Sequence, residues 1–108
     1  MAGQTQFAQD LDEPTYNRHL AHERHMFAWC LTNLGGLPQD AARASALSFY
    51  PYEAPSEPYR GLVFHDQAWH WAMLRVHGEG YSLNNPGSEK PSAAYEQESR
   101  LFAETFDA

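Results

Sequence analysis

Apolar positions in the first third of the chain recur at helical spacing. Tyr16, Leu20, Phe27, Leu31 and Leu34 fall along one face, with Cys30 beside them. Asp12-Glu13-Pro14-Thr15 precedes this stripe and carries a helix start: a capping carboxylate, acid at the positive end of the dipole, and proline in the first turn. Gly35-Gly36 ends it. A first helix therefore runs from Asp12 to about residue 34, behind a polar, frayed segment over residues 1–11. Leu37-Pro38 opens a second, alanine-rich helix from Gln39 to about Phe49, whose small side chains allow close packing. Pro51, Pro55 and Pro58 then punctuate an extended surface connector, Pro51 to Tyr59.

From Arg60 the period reads as two. Gly61 to His65, Ala68 to His77 and Tyr81 to Leu83 read as three strands, separated by Asp66-Gln67 and by His77-Gly78-Glu79-Gly80. On the long strand Ala68, His70, Ala72, Leu74 and Val76 alternate with Trp69, Trp71, Met73, Arg75 and His77. Asn84-Asn85-Pro86-Gly87 closes the meander, and Ser92 caps a final helix with Ala94, Tyr95, Leu101, Phe102 and Phe106 as its apolar stripe. The expected fold is one α+β domain over residues 12–108: two N-terminal helices, a three-stranded antiparallel meander and a C-terminal helix.

Candidate chemistry falls in two places. His19, His22 and His25 lie on the first helix, but His19 and His25 point about 120° apart, so the three cannot share one ion. They read as a solvated polar face, and no metal or other cofactor is expected. His70 is different. A hairpin closed at Gly78-Glu79-Gly80 would return Asn84 alongside it, and an imidazole oriented by an amide is the base half of a cysteine nucleophile site. Cys30 is the only thiol.

The stretch from Arg60 to Asn84, with His70-Trp71, the Gly78 and Gly80 turn and Tyr81-Ser82-Leu83-Asn84, resembles the His-to-Asn hairpin of papain-like cysteine proteases. It is most similar to the Josephin deubiquitinases and the double-glycine peptidases. The resemblance implies His70 as base and Asn84, or Asn85 if the turn is one residue longer, as its orienting partner. With Cys30 as nucleophile this would make a minimal cysteine hydrolase. Those families place the nucleophile at the start of a helix, whereas Cys30 stands near the end of one. The hydrolase is therefore the alternative reading.

Charge favours the other class of function. Seven Lys and Arg against 14 Asp and Glu give a net charge of -7, which opposes direct binding to nucleic acid or an anionic membrane. A single cysteine excludes an internal disulfide and fits a reducing compartment. Met1 to Gln6 lacks a signal-peptide pattern, so a cytosolic location, in the protein's own cell or a host's, is expected. The leading reading is a non-enzymatic acidic protein that binds and inhibits or neutralises a basic, nucleic-acid-handling partner. Immunity proteins and phage-encoded inhibitors share this composition, and a homodimer is compatible with it. The expected contact surface is the aromatic face Trp69, Trp71 and Met73, or the connector tyrosines Tyr50, Tyr52 and Tyr59, with Glu53, Glu57, Glu96 and Glu98 around it.

Overall fold

A computed structural model describes residues 12–85 and 87–106, and they form helices and loops with no strand. The expected frayed segment, residues 1–11, lies outside the described residues. The elements are α1 (Glu13–Asn33), α2 (Gln39–Phe49), a 3₁₀ turn (Leu62–His65), α3 (Ala68–His77), the single turn α4 (Tyr81–Asn84) and α5 (Ala93–Glu104). None of them is long and apolar enough to cross a membrane.

Helix α1 is the hub. It starts where its sequence says: the Asp12 carboxylate accepts the Thr15 N–H at 2.8 Å and Pro14 occupies the first turn. Its buried stripe, Tyr16, Leu20, Glu23, Phe27, Cys30 and Leu31, steps by three and four residues along one face. Helices α2, α3 and α5 all pack on it. At its end, a Cβ on Gly35 would stand 2.8 Å from the Leu31 carbonyl oxygen and 3.1 Å from Val76 Cγ2, so glycine lets α3 approach. Gly36, at φ 76°, turns the chain so that the Leu37 N–H reaches the Leu31 carbonyl at 3.0 Å. Helix α2 buries Ala42 and Ala46. Arg24 Nε then donates at 2.8 Å to the Tyr50 carbonyl that ends α2, placing a cation at the negative end of that helix.

The expected three-stranded meander is replaced by helix. The first strand is the 3₁₀ turn, the second is α3, and the third is the single turn α4. The physical reason lies in what a short apolar run leaves undetermined. Ala68, Trp69, Ala72 and Met73, the residues α3 buries, sit at i, i+1, i+4 and i+5, a helical stripe inside a segment that also alternates. Alanine, methionine, leucine and arginine all favour helix, and Val76 is the only β-branched residue of α3. Gly78, at φ 84°, ends α3 with its N–H on the Leu74 carbonyl, where a hairpin turn was expected.

The start of α3 has no local cap, because the Gln67 side chain makes no capping bond. The cap comes from α1 instead. Glu23, only 8% exposed, accepts the Ala68 N–H on Oε1 at 2.9 Å, and the His22 Nδ1–H donates to its Oε2 at 3.1 Å. A carboxylate is thus aimed at the positive end of a helix 45 residues along the chain. On the far side, His22 Nε2 lies 2.9 Å from the Ser99 hydroxyl of α5. Helix α5 is capped by Ser92, as its sequence indicates, but Tyr95 is its only buried residue; Leu101 and Ala94 of the expected stripe are exposed.

Replacing Glu23 with alanine leaves the Ala68 N–H without a partner and opens a hole beside it. The expected cost is about 2–4 kcal/mol in denaturant unfolding, against about 0.5 kcal/mol or less for Glu96→Ala on the exposed face of α5. Equal effects at the two positions would show that Glu23 does not hold α3.

Candidate functional site

The nucleophile constellation expected from the sequence is not assembled. Cys30 has no solvent exposure and packs in the core of α1. Burial first, then the nearby Glu23 charge, pushes its thiol up to about 12, the reverse of an activated nucleophile. His70 does not face an amide. Its Nδ1 lies 2.9 Å from the Tyr81 hydroxyl, and its Nε2 is 3.9 Å from Asp66 one turn earlier. Asn84 is exposed on α4 and Asn85, half-buried, follows it, because the segment that should have returned as a strand is a helical turn.

Two of the three histidines of α1, His22 and His25, are half-buried and bonded, while His19 stays exposed as expected of a solvated face. His19 stacks on Phe64 with ring centroids 4.1 Å apart. His22 is tied to Glu23 and Ser99, while the His25 Nε2–H donates to Glu98 at 2.7 Å and its ring stacks on Phe102 at 4.0 Å. Among the described residues no three His, Cys, Asp or Glu side chains form a metal-holding group. Ser99, His22 and Glu23 have the connectivity of a hydroxyl–imidazole–carboxylate relay. However, the second Glu23 oxygen is committed to α3, and Ser99 sits mid-helix, where backbone N–H groups are used in the helix and offer no oxyanion site. The arrangement ties α1, α3 and α5 together.

The expected aromatic contact face divides. On a helix, residues two apart point about 200° apart, so Trp69 and Trp71 do not share a face. Trp69 is 5% exposed and Met73 1%; Trp69 Nε1–H donates to the Ser88 carbonyl at 2.7 Å. Trp71 is half-buried, with its Nε1–H on the Val63 carbonyl at 3.0 Å. Tyr50 of the connector is also core, with no solvent exposure. Of the expected acidic rim, Glu98 is engaged by His25, and Glu53 accepts the Gly61 N–H on Oε1 at 2.8 Å. Glu57 and Glu96 remain exposed.

Along the connector and just beyond it, large apolar side chains stay outside. Tyr59 is 72% exposed, Leu62 56% and Tyr52 49%. This loop is held in shape by groups that the sequence alone did not single out. Arg60 is buried, its guanidinium 3.8 Å above the Tyr16 ring; it ion-pairs with Glu13 and donates from Nε to the Glu53 carbonyl at 2.9 Å. The Tyr52 hydroxyl donates to the other Glu13 oxygen, and the Tyr16 hydroxyl accepts the Glu53 N–H at 2.9 Å. Hydrogen bonds from Tyr52 and Arg60 hold the Glu13 carboxyl below its ordinary value. The only hint in the sequence was that Arg60 directly follows an exposed tyrosine in a segment rich in acid.

Two outcomes test this arrangement. Cys30 should resist a thiol reagent at about pH 8 in the folded protein and react on unfolding, and His70→Ala should change neither behaviour; rapid native labelling slowed by His70→Ala would restore the nucleophile. The second concerns His22, which the Glu23 hydrogen bond raises above its usual 6.5 against an opposing effect of burial. The stability this supplies is complete below that usual value and is lost as pH rises through the higher folded-state value. Burial lowers His19, whose contribution runs the other way and is lost as pH falls. The stability gap between the wild type and His22→Gln should therefore narrow from about pH 5.5 to about pH 8.5; a gap that widens would refute the assignment.

Compared with known proteins, the chain matches no family model, no curated protein and no solved structure.

Proposed function

We propose that this protein acts by binding a basic macromolecular partner through the connector between α2 and α3, and inhibits or neutralises that partner by covering its cationic surface. The observation that carries the reading is Tyr59, 72% exposed on a loop whose neighbour Arg60 is buried and bonded. An exposed tyrosine presented on a fixed backbone loses little freedom on binding, and tyrosines and arginines dominate contact energies at interfaces. Leu62 continues the patch one turn on, where its N–H bonds the Tyr59 carbonyl at 3.0 Å. Glu57 stands exposed on the same loop. The net charge of -7 adds long-range attraction for a cationic surface.

With the protein immobilised, partners retained from a cell extract at low ionic strength should be basic. They should be released in about 1 M salt, where the screening length falls to about 3 Å. Tyr59→Ala and Glu57→Arg lie at exposed positions and should reduce retention several-fold without altering the circular dichroism spectrum. Retention of the same proteins by both variants, or of acidic proteins, would overturn the reading.

A further inference from the structure

A cleft of about 370 Å³ lies between α1 and α2, lined by residues of those two helices and by none of the connector. Its origin is in the sequence of the two helices. Ala21 and Ala28 of α1 face Ala46 and Leu47 of α2, and alanines on both sides leave space that larger residues would fill. Trp29 closes one wall. The volume is near the lower end of the range for small-molecule sites, roughly 300–1,000 Å³.

The charge of this cleft is opposite to that of the molecule. Arg24 and Arg43 both line it, two of only seven Lys and Arg in a chain with 14 acids. Among the described residues neither arginine pairs with a carboxylate. Arg24 donates from Nε to the Tyr50 carbonyl, which fixes its guanidinium, and among the described residues neither Nη group has a protein partner. His25, also on the lining, already has a carboxylate partner in Glu98.

We propose that the α1–α2 cleft binds a small carboxylate with an apolar body, a medium-chain fatty acid, with its carboxylate on Arg24 and Arg43 and its chain along Ala28, Ala46, Leu47 and Trp29. A guanidinium suits a carboxylate because its N–H groups match the two oxygens, and two guanidinium side chains line this cleft. The occupant is a small monoanion because a surface of net charge -7 repels an extended acidic chain at a distance, while a single charge entering a cationic cleft meets mainly the local field.

Decanoate titrated into the full chain, followed by calorimetry and tryptophan fluorescence, tests the assignment. Saturable one-to-one binding is expected below the concentration at which decanoate self-associates. Arg43→Gln, at an exposed position, should weaken it about tenfold, the loss of one charge-assisted hydrogen bond, and Arg43→Lys should weaken it less. Trp29→Phe should remove most of the fluorescence change and weaken binding in the calorimeter, because Trp29 is part of the wall the chain lies against. Decanol and decyltrimethylammonium should bind at least tenfold more weakly. Equal binding of decanol and decanoate, an unchanged affinity in Arg43→Gln, or binding confined to an acidic amphipathic peptide would each overturn the proposal.

Discussion

The buried carboxylate of Glu23 is the interaction on which the rest of the structure depends. It stands in the apolar stripe of α1, 8% exposed, and a charge in that position is tolerable only where every oxygen has a donor. Both do: one takes the first N–H of α3, the other the His22 imidazole, whose far nitrogen meets Ser99. One side chain thereby sets the angle and register of α3 against α1 and, through His22, of α5. The Phe27, Cys30 and Leu31 packing below it follows from that placement, and so does the inert thiol. Burial, and then the Glu23 charge, both disfavour the Cys30 thiolate.

At the other end of α1 a similar device works on the connector. Glu13 begins the helix and accepts from both Arg60 and Tyr52, while Tyr16, one turn on, lies under the guanidinium and receives the Glu53 N–H. Three prolines alone would make residues 51–61 extended but not fixed. Arg60 supplies the fixing, since its planar head can stack on a ring and donate in two directions at once. The outcome is that Tyr59 projects outward from a loop whose backbone is anchored on either side of it.

How much of this was legible in the sequence depends on where each signal sits. The first helix and the last carry their own stops or caps, Asp12, Gly35-Gly36 and Ser92, the second has Pro38 at its start and no side-chain cap, and all three helices stand close to where the pattern puts them. Helix α3 has no such local signal, since its cap is a residue of α1. Without a cap, alternating Trp69, Trp71 and Met73 read as a strand, and the turn residues Gly78 and Gly80 supported the same error. The candidate site divided along the same line. Tyr52 and Tyr59 were legible as surface because proline and acid surround them. Trp69 and Met73 were read as surface, and His70 and Asn84 as partners, only through the hairpin that does not form. Nothing in a linear chain shows that Arg60 meets Glu13, 47 residues away, or that Arg24 and Arg43 have no carboxylate partner among the described residues.

Electrostatics also explains how the two proposed binding surfaces, of opposite preference, can share a small molecule. The acid excess is spread over exposed positions such as Glu57, Glu89, Glu96 and Glu104, and a charge so spread acts at long range. The guanidiniums of the cleft act at short range, because within a few ångströms the nearest charges outweigh the distant ones. The two surfaces meet at one residue. Arg24 lines the cleft and also holds the Tyr50 carbonyl, where α2 gives way to the connector. A substitution there would disturb both surfaces at once. Arg43 lines the cleft from an exposed position on α2, with no recorded side-chain bond among the described residues, so its loss reports on the cleft alone.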